Sequence, residues 1–149
     1  MILVKHPNPK LLQECDAVTD FGDNLHSLVY QMKAFMKTLW GRPQGLAAPQ
    51  VGYFVKVFIT QSGVYVNAEI IKKSQETYTA KEGCYSEEPN RFDYPAQRHV
   101  WVILKYQRLN GCLAKKRFSG KAAQVIQHEV DHIYGKLCCG GSKCQTTHA

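Results

Sequence analysis

"QHEVDHIYG", Gln127 to Gly135, places two histidines four residues apart near the C-terminus. On a helix, residues four apart share a face, so the imidazoles of His128 and His132 can hold one metal ion between them. Glu129 falls beside the first histidine, where it can take a proton from a water that the metal activates. A catalytic metal normally has three protein ligands and one open position. This stretch supplies two, and the reading of the chain turns on the third.

Working outward, "GKAAQVIQHEVDHIYG" (residues 120–135) reads as a helix with Gly120 before it and Gly135 as its stop. Ala122, Val125, Ile126, Val130 and Ile133 supply apolar positions around the histidines, which predicts a buried helix. Just upstream, "HVWVILKYQRLNGCLAKKRF" predicts a hairpin turning at Asn110-Gly111. "YFVKVFIT" and "GVYVNAEIIKK" are rich in β-branched and aromatic residues and predict strands turning at "QSG". "DNLHSLVYQMKAFMKTLW" has apolar residues at three- and four-residue spacings, the pattern of an amphipathic helix with Asp23 as N-cap and Gly41 as stop. "GRPQGLAAPQVG" between them reads as a loop. Hairpins packed on two helices make an α+β domain, with antiparallel sheets around a central metal-binding helix.

At 149 residues, 44% of them hydrophobic and 21% charged, the chain suits one ordinary globular domain. No apolar run approaches the ~20 residues needed to cross a bilayer. The N-terminus "MILVKHPNPK" carries no secretory pattern, so the expectation is a cytoplasmic protein with free thiols. A monomer with no membrane partner is expected. The six cysteines at 15, 84, 112, 138, 139 and 144 are irregularly spaced. A formal net charge of +7 favours polyanions, and a ribosomal neighbourhood is compatible with it, although no nucleic-acid recognition motif accompanies the charge. The Gly-rich tail "KLCCGGSKCQTTHA" has no helical period; residues 138–149 are expected to form a flexible tail on a domain spanning 1–137.

Three readings of the histidine pair compete. In one protease group the third ligand is a downstream glutamate, but no Asp or Glu follows Asp131. In metzincins the motif extends to a third histidine and a methionine turn. "HEVDHIYGKLC" matches that pattern as far as Gly135 but then offers Cys138, and no methionine follows Met36. A closed four-ligand structural site in a basic binding module is another alternative. The third ligand can also come from upstream. "KEGCYSEEPNR" presents Cys84 after a glycine, and a thiolate with two imidazoles suits Zn(II) or Fe(II).

Taken together and in order, "GLAAPQVG" (Gly45 to Gly52), "EGCYS" (Glu82 to Ser86) and "QHEVDH" (Gln127 to His132) resemble the three signature motifs of the peptide deformylase family. The opening "HPNPKL" and the Asn-Gly hairpin look like that family too. The resemblance covers roughly residues 1 to 137. It implies a metal-dependent hydrolase that removes the formyl group from the N-terminal formylmethionine of nascent polypeptides. Its metal ligands would be Cys84, His128 and His132. The ion would be Fe(II) in vivo, with Zn(II), Ni(II) or Co(II) accepted in purified protein. Glu129 would move the proton; Gln50 and the backbone N–H of Tyr85 would hold the oxyanion. Gly45, Gln44 and Gly83 would line the substrate, Glu82 would orient its neighbours, and Arg91 stands where the family often has an arginine.

The chain also departs from the family pattern. Tyr85 replaces a common leucine, and its larger ring is expected to narrow the mouth of the site. Pro43 and Gln44 stand where a glycine and an aliphatic residue are usual. Lys121 and Gln124 occupy positions where many members line a methionine pocket with apolar residues. The chain ends soon after His132 without the long C-terminal helix of many bacterial members, and in this it resembles short forms encoded by some bacteriophages.

Overall fold

The computed structural model describes residues 1–86 and 94–137. Arg91, Cys138, Cys139, Cys144 and the expected tail lie outside the described residues. After a short 3₁₀ turn at Pro9–Leu12 comes helix α1 (Asp23–Thr38), then strands β1 (Gly45–Ala47), β2 (Val57–Thr60), β3 (Gly63–Lys73), β4 (Thr77–Glu82), β5 (Tyr94–His99), β6 (Trp101–Gln107) and β7 (Leu113–Ser119), and finally helix α2 (Gly120–Ile133).

Strands β1, β2, β3, β6 and β7 form one five-stranded sheet in that spatial order, while β4 and β5 pair as a separate ribbon. The pairings between these strands are antiparallel. Two apolar clusters sit on the five-stranded sheet. In one, Ala123, Ile126, Val130 and Ile133 of α2 meet Phe58, Tyr65, Leu104 and Phe118. In the other, Leu25, Leu28, Val29, Met32 and Met36 of α1 meet Leu46, Val57 and Ile59. A fully buried side chain of this size contributes roughly 1.5–3 kcal/mol, so both helices are held by their apolar stripes. The α+β architecture expected from the sequence is the one observed.

Several local expectations change. Asp23 does not cap α1: the cap is Gly22, and Asp23 is the first helical residue, where its charge favours the helix N-terminus. The cap's own N–H is held by Asp20 Oδ1 at 2.9 Å. The helix ends at Thr38, before Gly41, because Leu39 is already extended. The presumed loop "GRPQGLAAPQVG" contains β1 and a 3₁₀ turn at Ala48–Val51. Only Val57–Thr60 of "YFVKVFIT" is strand. Gly120 is the first residue of α2 and Ser119 its cap. Ala122 is exposed and Val125 half-buried, whereas Ala123 is buried. The β4–β5 ribbon was not expected. By contrast, the Asn110-Gly111 turn is present, with Gly111 at φ 88°.

Gly135 ends α2 at φ 76°, and a Cβ there would stand 2.6 Å from the Gln13 carbonyl carbon. The end of α2 is thereby packed against the N-terminal segment.

Candidate metal centre and active site

Two polar clamps fix α2 in rotation and height. Gln127 is buried; its Oε1 accepts from His99 N–H at 2.8 Å, and its Nε2 donates to His99 C=O at 2.9 Å. One turn on, Asp131 accepts from Arg98 Nη1 at 2.7 Å. Both partners lie at the end of β5, so the ribbon grips the helix from one side while the large sheet packs on the other.

The turn after β4 then carries Cys84 to the helix. Cys84 is 2% exposed, and its Sγ lies 3.3 Å from His132 Nε2, which lies 3.2 Å from His128 Nε2. All three donor atoms fall within 4.8 Å of one another. A tetrahedron with metal bonds of about 2.0–2.3 Å has edges of this size, so the donor set fits a zinc-like or iron-like divalent ion. Among the described residues the group holds three donors, the number that leaves a position open for chemistry. The third donor thus comes from upstream.

Neighbouring groups set the protonation of the donors. Glu82 Oε1 lies 2.9 Å from His128 Nδ1. An ionised carboxylate only accepts, so the proton sits on Nδ1 and leaves the Nε2 lone pair for a metal. Burial alone would raise the Glu82 pKa, but hydrogen bonds from Arg98 and His128 outweigh it and hold the carboxyl well below the usual range. Arg98 completes the arrangement with Nε and Nη2 donating to the two Glu82 oxygens at 2.7 and 2.6 Å. His132 is kept neutral chiefly by burial, with the neighbouring His128 acting in the same direction.

Glu129 is 3% exposed, and its Oε2 has no hydrogen-bond partner among the described residues. Its Oε1 is 4.0 Å from His128 Nε2. Burial pushes its pKa up to about 7, against the opposing pull of His128. Gly45 makes room for it: a Cβ there would stand 2.9 Å from the Ile59 carbonyl oxygen and 3.0 Å from Glu129 Cγ. Gln50 is buried in the 3₁₀ turn. Its Oε1 accepts from Ala47 N–H at 3.0 Å, which turns Nε2 toward Cys84 Sγ at 3.5 Å and Ser86 Oγ at 3.4 Å.

An open cavity of about 280 Å³ reaches this group. Gln44, Gly45, Gln50, Gly83, Cys84, Tyr85, His128 and Glu129 all line it, so eight of the nine expected site residues share one space. The ninth, His132, lies buried behind them. The Tyr85 hydroxyl lies close to Gly41, where a Cβ would meet it at 2.9 Å. Arg98, Asp131 and Gln127 received no role from the sequence alone. In the structure buried Tyr94, Ala96 and Arg98 alternate with exposed Pro95 and Gln97, which turns the arginine inward.

The site has the donor set of a one-cysteine, two-histidine centre that could hold a metal ion. A family model described as polypeptide deformylase matches residues 1–143. A peptide deformylase of Thermotoga sp. (strain RQ2) is 37% identical over 134 residues, covering 87% of this chain and 79% of its own length. A Plasmodium falciparum peptide deformylase structure with inhibitor superposes with a TM-score of 0.86 at 28% identity, covering 98% of this chain and 92% of that one. The Thermotoga maritima enzyme gives 0.84 at 33% identity, covering 91% and 92%. The chain belongs to the peptide deformylase family, a family of metal-dependent hydrolases.

Proposed function

We propose that this chain removes the formyl group from N-formylmethionyl ends of newly made polypeptides, releasing formate and a free amine. The observation that carries this reading is the meeting of Cys84 Sγ, His128 Nε2 and His132 Nε2 within 4.8 Å, beside the unpartnered carboxyl oxygen of Glu129.

Cys84, His128 and His132 would hold the metal. Bound there, a divalent ion supplies Lewis-acid chemistry, lowering the pKa of water toward neutrality. Glu129 takes the proton of the attacking water as its oxygen adds to the formyl carbon. It returns that proton to the nitrogen as the C–N bond breaks. The oxyanion formed between the two steps is held by Gln50 Nε2 and the backbone N–H of Tyr85. The orientation of Gln50 supports its part, because the hydrogen bond from Ala47 leaves the amide N–H₂ directed at the site. Gly45, Gln44 and Gly83 line the substrate's path.

Fe(II) is the proposed native metal, with Zn(II), Ni(II) and Co(II) as substitutes, since thiolate and neutral imidazole suit all four. The catalytic domain is taken as residues 1–137, working as a cytoplasmic monomer. The +7 charge supports work close to the ribosome.

The test is formate release from formyl-Met-Ala-Ser by protein purified without oxygen and loaded with Fe(II) or Ni(II). Formate is expected in step with peptide consumed. A folded, metal-loaded protein that releases none overturns the reading.

A further inference from the structure

Strands β3, β6 and β7 have two faces, and α2 packs on one of them. Val102, Leu104, Tyr106 and Phe118 stand on that core face. The register puts Trp101, Ile103, Lys105 and Gln107 of β6 on the opposite face, with Lys115 beside Lys105 and Arg117 beside Ile103 on β7. On β3, Lys72 stands beside Ile103 and Glu69 beside Lys105. Helix α1 packs on the β1–β2 end of this outer face, against Val57, Ile59 and Val66. At the other end Lys72, Lys105, Lys115 and Arg117 are all exposed.

Three neighbouring strands span about 10 Å, so the four cations form one patch. Glu69 is the one acid that these strands contribute to it. Among the described residues, no ion pair engages any of the four cations. Lys105 and Lys115 stand directly opposite each other, and like charges so placed weaken strand pairing. Charged side chains on an edge strand discourage pairing with another chain, which accounts for Lys115 and Arg117 on β7. It does not account for Lys72 and Lys105, because β3 and β6 are interior strands. Trp101 lies on the same face, half-buried, with Arg117 Cζ 4.6 Å from its ring centroid. None of these residues lines the active-site cavity.

Clustered cations beside an aromatic ring complement a chain of phosphates that carries stackable bases. On the deformylase reading the substrates are polypeptides still being made, and RNA is the polyanion that accompanies them. Resting on that reading for the choice of polyanion, we propose that the outer face of β3, β6 and β7 binds single-stranded RNA. Lys72, Lys105, Lys115 and Arg117 neutralise phosphates, and Trp101 with Arg117 receives a base. The contact leaves the active-site cavity free to take a peptide.

The experiment titrates a fluorescently labelled oligouridylate with the metal-loaded protein at several salt concentrations and reads anisotropy. Binding is expected with a log–log salt slope of about −3, from four phosphates at about −0.7 each. The Lys105→Gln, Lys115→Gln, Arg117→Gln variant should bind about tenfold more weakly, with a slope shallower by about 2. Lys10→Gln, Lys33→Gln, Lys37→Gln removes the same charge from exposed positions elsewhere and should bind as the parent does. In Trp40→Phe, which leaves Trp101 as the one tryptophan, RNA should quench the fluorescence. Equal weakening by the two triple variants, or no quenching in Trp40→Phe, overturns the inference. So does tighter binding of the matching oligodeoxythymidylate or of phosphatidylglycerol vesicles. Formate release from formyl-Met-Ala-Ser is measured in parallel. A parent that releases formate without binding RNA overturns this inference alone. A parent that binds RNA on this face and releases no formate overturns the deformylase reading alone.

Discussion

Glu82 Oε1 lies 2.9 Å from His128 Nδ1, while the opposite nitrogen of the same ring faces His132 Nε2 at 3.2 Å. One carboxylate thereby decides both the tautomer and the tilt of an imidazole proposed to hold the metal. Arg98 in turn holds that carboxylate with two hydrogen bonds and ties it to Asp131 on α2. The ribbon, the helix and the metal donors form one connected unit.

Removing Glu82 should therefore loosen the metal before it unfolds the protein. Glu82→Ala is expected to weaken metal binding by about 10–100-fold, the usual effect of losing a partner that orients a ligand. Competition with a chelator, run on protein whose far-UV circular dichroism is unchanged, measures it.

Cys84 and Cys112 offer a matched pair. Cys84 is buried among the donors, whereas Cys112 is exposed at the β6–β7 turn. Cys84→Ala should leave less than one metal ion per chain after dialysis, while Cys112→Ala should retain one. Elemental analysis reads the stoichiometry.

Gly45 is where β1 meets Glu129, the proposed proton-transfer residue. In Gly45→Ala the new methyl would stand 2.9 Å from the Ile59 carbonyl oxygen and 3.0 Å from Glu129 Cγ. Displacing Glu129 by a fraction of an ångström should lower kcat by about 100-fold with metal content unchanged. Steady-state formate release together with elemental analysis checks both parts.

Cys15 sits beside the end of α2, its N–H donating to Ile133 C=O at 3.0 Å. Burial first, then the neighbouring Asp16, pushes its thiol up to about 11. The folded chain thus keeps this proton to higher pH than the unfolded chain does. Its contribution is fully present below about pH 9 and is lost as pH rises toward 11. Cys15→Ala should remove up to about 1.4 kcal/mol per pH unit of the stability loss in that window. Urea denaturation at pH 8, 9 and 10 measures the difference between the two slopes.

The candidate donors were legible because their spacing carries chemistry: His128 and His132 share a helix face whatever the tertiary structure. Gly63–Lys73 was legible from β-branched density, and Asn110-Gly111 from turn chemistry. Asp23 was misplaced as a cap because Gly22 and Asp20 together close the helix end, a pairing that residue preference alone does not specify. β1 escaped notice because three small or apolar residues between prolines and glycines carry no alternation; pairing with β2 makes Gly45–Ala47 a strand. The β4–β5 ribbon, and with it the Glu82–Arg98 pair, depends on a register across sixteen residues that local pattern does not encode. Ala122 and Ala123 differ by one helical step of about 100°, so one is exposed and the other buried.

The central claim is that Glu129 moves the proton in a hydrolysis occurring at Cys84, His128 and His132. Formate release from formyl-Met-Ala-Ser by Glu129→Ala and the parent, each carrying one metal ion per chain, tests it most directly. The account predicts that the variant keeps its metal and fold and loses activity by about 10²–10⁴-fold, the range for a positioned general base. A variant that holds its metal and releases formate at the parent's rate would contradict it.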